Sequence, residues 1–197
     1  MKVQVIVGSI RQGRVTEKVA QWTLKELQNL PNIEAEIVDL AEYSLPLFDE
    51  VAPPQYNPNR EVTPNVRKWL DKLAEAEAFV VVTPEYNRSF PGALKNAFDF
   101  IDFQFAKKPV AIVAHGSTGG AQAVASLRIT LPGLQAVAVP SATFFVGRAG
   151  EMLDDSGELT DEQAKSNPYG VQGSLKTTLG ELKWYGDALS VARAADK

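Results

Sequence analysis

The sequence predicts an α/β fold in which a parallel sheet is covered by helices on both faces. Short apolar runs alternate with segments whose apolar residues recur at helical spacing. The runs are apolar at successive positions rather than at every second one, and turns rich in Gly or Pro separate them. Strands buried on both faces read this way, whereas a sheet with one wet face would alternate.

The elements follow in order. "KVQVIV" (2–7) is a β-branched run ending at Gly8-Ser9, and Val19, Ala20, Leu24 and Leu27 mark a helix from Thr16 until Pro31 stops it. "AEIVDL" (35–40) is a second strand. Residues 41–62, with four prolines and two Asn, read as an extended surface loop. A helix over 63–77 has Thr63 as N-cap, Pro64 at its first position, and Val66, Trp69, Leu70 and Leu73 on one face. A third strand (78–83) leads into a loop that holds the next helix back to Pro91, read as its first position; that helix runs from Gly92 to about Asp102. "PVAIVAH" (109–115), a helix over about Ala121–Thr130, a strand over 136–146 interrupted by Pro140, and a helix from about Gln172 to Ala194 complete the chain. Five strands that start directly with a nucleotide-type turn favour a flavodoxin-like three-layer sandwich of strand order 2-1-3-4-5, formed by residues 1–197 as one domain.

Composition narrows the chemistry. The 197 residues are 45% hydrophobic and 22% charged, with net charge −4 and no Lys/Arg cluster, which argues against nucleic acid or an anionic membrane as partner. There is no Cys and a single His, His115, so thiolate metal sites, cysteine nucleophiles and His-based metal clusters are excluded together. The first residues enter a strand pattern at once and no apolar run is long enough to span a bilayer, so a cytoplasmic protein is expected.

In a sheet of this order the ligand belongs beyond the carboxyl ends of the strands, where the order reverses. The first turn there, "GSIRQGRVT" (8–16), combines Gly8 and Gly13 with the hydroxyls of Ser9 and Thr16 and the charges of Arg11 and Arg14 beside a helix N-terminus, a site for an anion and most simply a phosphate. Its glycine spacing imitates a Walker A loop, but Arg14 and Val15 stand where Lys and Ser/Thr are required, so an ATPase is disfavoured; G-x-G-x-x-G is absent too. The second turn, Pro84 to Phe90, offers the flat face of Tyr86 and the donors and acceptors of Asn87. The third, "HGSTGG" (115–120), has three glycines that let a backbone approach a planar ligand. Its Gly-Ser-Thr-Gly spacing does not fit a hydrolase elbow, and the lone His precedes the Ser; His115 reads as a structural strand-end residue. One turn for phosphate and two for a flat ring together suggest FMN.

The stretches "GSIRQGR", "VDLAEYSLPLFDE", "PEYNRSFPGALKNAFD" and "GSTGGAQAVASLR" give the chain a resemblance to the NAD(P)H-dependent FMN reductases, a flavodoxin-like group that includes quinone, chromate and azo-dye reductases. The resemblance covers about residues 1–146. It implies that Ser9, Arg11 and the backbone of Arg14, Val15 and Thr16 hold the FMN phosphate. Pro84, Glu85, Tyr86 and Asn87 would lie along the isoalloxazine ring, and Gly116, Ser117, Gly119 and Gly120 would meet its pyrimidine end. Many members carry Ser and Asn where this chain has Arg14 and Thr16. The implied activity passes electrons from NADPH or NADH through FMN to a quinone, chromate, azo compound or free flavin, with no catalytic side chain of its own and no metal. A homodimer or homotetramer is implied as well. The alternative is a flavodoxin-like electron carrier or a flavin-binding interaction module without NAD(P)H turnover. Independently, the crowding of Phe98, Phe100, Ile101, Phe103 and Phe105 predicts that some of these aromatics emerge as an apolar surface patch.

Overall fold

The computed structural model describes residues 1–147 and 149–196. Its centre is a five-stranded parallel sheet of order β2-β1-β3-β4-β5, built from β1 (Lys2–Val7), β2 (Glu34–Asp39), β3 (Ala78–Pro84), β4 (Pro109–Gly116) and β5 (Val137–Val146). The helices are α1 (Thr16–Gln28), α2 (Pro64–Ala74), α3 (Gly92–Asp99), α4 (Ala121–Thr130), α5 (Ala149–Met152), α6 (Glu162–Ser166) and α7 (Val171–Ala195). The expected order, parallel pairing and flavodoxin-like layering are all observed.

Alternate strand residues divide the core into two layers, as the pleat requires. Ile6, Phe79, Val81 and Ile112 pack with Trp69 of α2, Leu94 of α3 and Leu127 of α4. Val3, Val5, Val80 and Val82 pack on the opposite face with Val19 and Leu27 of α1 and Leu175, Leu179 and Leu182 of α7. At Pro140 the register jumps from Val110–Ala138 to Ile112–Ala142. A residue with no N–H to donate is tolerated there because β5 is an edge strand. Glu181 of α7 anchors the irregularity by accepting hydrogen bonds from Ser141 N and Oγ, both at 2.7 Å.

One local expectation holds in position but not in chemistry, and two need correction. Thr63 is the N-cap of α2, but its hydroxyl makes no capping bond; its backbone carbonyl accepts from Arg67 N instead. Pro91 is the N-cap of α3 rather than its first helical residue: with ψ of 140° it stays extended while its carbonyl accepts from Leu94 N and Lys95 N. Finally, α3 ends at Asp99, short of Asp102. The Phe100 carbonyl, which a longer helix would need, is taken by Arg60 Nη2 at 2.6 Å.

That early stop resolves the aromatic crowding. Phe98 is buried in the last turn of α3, and once the chain leaves the helix Phe100, Ile101 and Phe105 turn inward beside it; all four are at most 3% exposed, and only Phe103 faces solvent. Phe105 stacks on Phe79 with centroids 4.0 Å apart, and Phe48 of the 41–62 loop meets Phe100 edge-on at 5.2 Å. The expected apolar patch is therefore an internal cluster. The loop itself is stapled down, because Asn96 Oδ1 accepts from Phe48 N (2.8 Å) and Asn96 Nδ2 donates to the Pro46 carbonyl (2.7 Å). It contains two short 3-10 turns, Leu40–Glu42 and Pro54–Tyr56. Among the described residues, no helix is long and apolar enough to cross a membrane.

Candidate functional site

The carboxyl ends of β1, β3, β4 and β5 open onto a cavity of about 240 Å³. It sits where the sheet order reverses, because β1 is followed by β2 on one side while β3 lies on the other. Gly8 makes the closure between β1 and β3 feasible: a Cβ there would lie 2.9 Å from both Leu94 Cδ2 and the Val82 carbonyl oxygen. The Gly8 N–H donates to that same carbonyl at 2.8 Å.

From the first turn, Arg11, Arg14, Val15 and Thr16 line the cavity. Their environments differ. Arg11 is exposed, its guanidinium 5.5 Å from the Tyr86 ring centroid, and no carboxylate pairs with it among the described residues. Arg14 is tethered on three sides: Nη1 donates to the Ser9 carbonyl (2.9 Å), and Nη2 meets Asp39 (2.5 Å) and Glu17. Its Nε is buried with no hydrogen-bond partner among the described residues. Val15 is the N-cap of α1 and supplies no side-chain cap, so the first turn of that helix keeps unanswered donors. Ser9 is fully buried and lies outside the cavity lining; its Oγ pairs with the Tyr86 hydroxyl at 3.0 Å.

The second turn contributes Pro84, Glu85 and Tyr86. Tyr86 and Ser89 exchange two backbone bonds (2.8 and 3.0 Å) around Asn87 and Arg88, whose φ values of 49° and 68° are those of a two-residue type I′ turn. Asn87 is exposed at the tip of this turn and does not line the cavity. Glu85 Oε2 accepts from Gln122 N at 2.9 Å, which answers one free donor at the start of α4.

From the third turn, His115 and Gly116 join the lining, whereas the ring-contact candidates Ser117, Gly119 and Gly120 do not. The Gly116 carbonyl accepts from Gly119 N and Gly147 N, both at 3.0 Å, and so ties the ends of β4 and β5 together. Ser117 is exposed, while Gly119 and Gly120 are buried behind the turn. Gly120 has φ of 81°, and a Cβ there would sit 2.6 Å from Ala114 Cβ. Its glycine identity serves close packing. His115, expected as a structural strand-end residue, lines the cavity as well, and three further lining residues went unassigned in the sequence: Gly147, Ala149 and Gly150 beyond β5. The only trace of the last three is a Gly-x-Ala-Gly run after a strand, and Gly150 lets α5 approach Val15, where a Cβ would lie 3.1 Å from Val15 Cγ2.

Burial, seconded by the Arg11 charge, lowers the His115 pKa to about 4 from its ordinary 6.5. Between those two values the unfolded chain binds the proton and the native chain does not. Stability is therefore expected to fall as pH drops from about 6.5 toward 4, by up to about 3 kcal/mol from this residue, and to be unaffected by it above 6.5. Urea denaturation at a series of pH values checks this, since His115→Gln should have a flatter profile over that window than the parent. Identical profiles would refute it.

A parallel 2-1-3-4-5 sheet with a cationic, donor-lined cavity at its carboxyl edge defines a flavodoxin-like protein equipped for a phosphorylated ligand. The NADPH-dependent FMN reductase family matches residues 1–151. An NAD(P)H-dependent FMN reductase of Schizosaccharomyces pombe is 31% identical over 185 residues, 85% of this chain and 92% of that protein. A quinone reductase of Pseudomonas putida is 33% identical over 178 residues, 85% and 87% of the two chains. Among solved structures, the flavoenzyme NAD(P)H:(acceptor) oxidoreductase FerB of Paracoccus denitrificans shares the fold with a TM-score of 0.73 at 24% identity, covering 93% of this chain and 98% of its own. The chain belongs to the NADPH-dependent FMN reductase family and is an FMN-dependent NAD(P)H oxidoreductase.

Proposed function

We propose that the cavity receives the phosphate end of FMN, with the flavin ring directed along the second and third turns, and that the electron acceptor is a small quinone. The observation that carries this reading is the cavity's set of donors. Among the described residues the guanidinium of Arg11 has no carboxylate partner, Arg14 Nε is buried without a hydrogen-bond partner, and α1 begins without a side-chain cap. An anion of phosphate chemistry answers all three together. Asp39 and Glu17 already balance the Arg14 charge, so Arg11 supplies the net positive field and Arg14 an oriented N–H.

FMN, when bound, would supply the redox chemistry that links NAD(P)H to the acceptor. The chain's part is to bind and orient. In this reading Pro84, Glu85, Tyr86 and the backbone of Asn87 form one wall for the ring, held rigid by the Tyr86–Ser89 bonds and by the Ser9–Tyr86 pair. Gly116, Ser117, Gly119 and Gly120 bring the start of α4 toward the pyrimidine end, where the helix dipole favours negative charge. Glu85 offsets part of that field through its bond to Gln122 N. The quinone is suggested by the quinone reductase relative. A cytoplasmic homodimer or homotetramer completes the reading, and light scattering that returned only the 21.4 kDa monomer over a wide concentration range would remove the oligomer.

Steady NAD(P)H oxidation by the FMN-loaded protein with a quinone, read at the nicotinamide absorption band, tests the activity; a protein that merely carries electrons would not sustain it. Arg11→Ala should raise the Kd for FMN about 30-fold, a loss of about 2 kcal/mol for one charge-assisted bond, while riboflavin affinity is unchanged. Equal losses for both flavins would show that Arg11 does not serve the phosphate.

A further inference from the structure

The remaining unabsorbed group at the site is the chain's single histidine. His115 closes β4, is 9% exposed and lines the cavity, and its Nε2 lies 3.0 Å from Thr16 Oγ1 at the start of α1. Thr16 is fully buried, and His115 is the only partner of its hydroxyl among the described residues. That fixes the direction of the bond. If Nε2 carried the proton and donated it, the buried Thr16 hydroxyl would be left without an acceptor for its own hydrogen. The Thr16 hydroxyl therefore donates to Nε2, and the neutral ring carries its proton on Nδ1, which has no partner among the described residues.

We propose that His115 is a ligand-binding residue of the phosphate site, locked by Thr16 as a neutral Nδ1–H donor and offering that N–H to a phosphate monoester in the cavity. This inference rests on the reading that the cavity takes the FMN phosphate. The surrounding charges agree with a neutral donor. Arg11 and Arg14 face the cavity from the first turn, Arg14 already balanced by Asp39 and Glu17; Glu85 and Tyr86 face it from the second. Gly147, Ala149 and Gly150 line it from the β5 side, and Arg148 between them lies outside the described residues. Adding a proton to His115 would reverse the Thr16 bond as well as place a second cation beside Arg11, which is consistent with the low pKa of the free site. A bound phosphate reverses the Arg11 effect and should move that pKa upward.

Because there is one histidine, ¹⁵N-histidine labelling gives a single pair of ring-nitrogen resonances, and the test can be read on the full chain without turnover. In the free protein at pH 7, Nδ1 should be protonated and Nε2 not. FMN should shift the Nδ1 resonance and raise the titration midpoint by at least one pH unit, and riboflavin should do neither. His115→Leu should weaken FMN about tenfold with riboflavin unchanged, and His115→Asn, whose amide nitrogen stands near the Nδ1 position, should restore most of the loss. An Nε2–H tautomer, equal responses to FMN and riboflavin, or a histidine indifferent to FMN would each overturn the proposal. Flavin fluorescence quenching, measured in parallel, separates the two readings. FMN that binds without touching His115 defeats only this inference, whereas FMN that does not bind defeats the cofactor site too.

Discussion

Arg60→Leu is expected to destabilise the protein by about 3–5 kcal/mol, the range for removing one partner of a buried ion pair. Arg60 is 8% exposed and holds together two segments far apart in sequence. Its guanidinium contacts Glu50 of the 41–62 loop, Asp102 Oδ2 at 3.1 Å, and the Phe100 carbonyl at 2.6 Å. Without it, Glu50 and Asp102 remain as facing, largely buried carboxylates with no cation between them, and the loop loses its main tie to the end of α3. Chemical denaturation of the variant measures the loss. Adding Glu50→Gln and Asp102→Asn should recover much of it, since the cost lies in the stranded charges rather than in the missing contacts. A loss below about 1 kcal/mol would show that the triad is solvated and weak.

Phe105→Ala should cost about 3–5 kcal/mol through the cavity it leaves. The ring has no exposure, lies flat on Phe79 at an interplanar angle of 2°, and meets Phe98 edge-on at 5.7 Å. The contrast with Phe103→Ala makes the experiment decisive. Phe103 is two residues away but 44% exposed, and its truncation should stay within about 0.5 kcal/mol. Comparable losses at both positions would mean that Phe105 does not sit in the buried aromatic cluster.

The sheet was legible from the chain because its strands are apolar on both faces, and that pattern leaves little choice but a parallel sheet between helices. "AFVVV" before Thr83 and "VAIVA" before His115 carry this signal at full strength. The three turns could be found because glycine, proline and hydroxyl residues mark them. What could not be read was how side chains spend their hydrogen bonds. Ser9 has the chemistry of a phosphate ligand, yet its hydroxyl is committed to Tyr86. Arg14 looks like a free cation but is held by two carboxylates, one of them 25 residues away. The end of α3 was misjudged for the same reason: the competitor for its carbonyl, Arg60, comes from 40 residues earlier. Residues 149–150 gave no periodic signal because α5 is a single short turn of helix.

The turn at Asn87 and Arg88 has a kinetic meaning. It closes on its own backbone bonds and holds two side-chain-bearing residues at positive φ without help from any ligand. A wall that is already folded when a molecule arrives has no ordering step to complete at encounter, so capture is governed by diffusion and by the charge at the entrance. In the proposed site, Arg11, which has no carboxylate partner among the described residues, stands at that entrance, so association is expected to slow as dissolved salt rises while the fold of the turn stays unchanged.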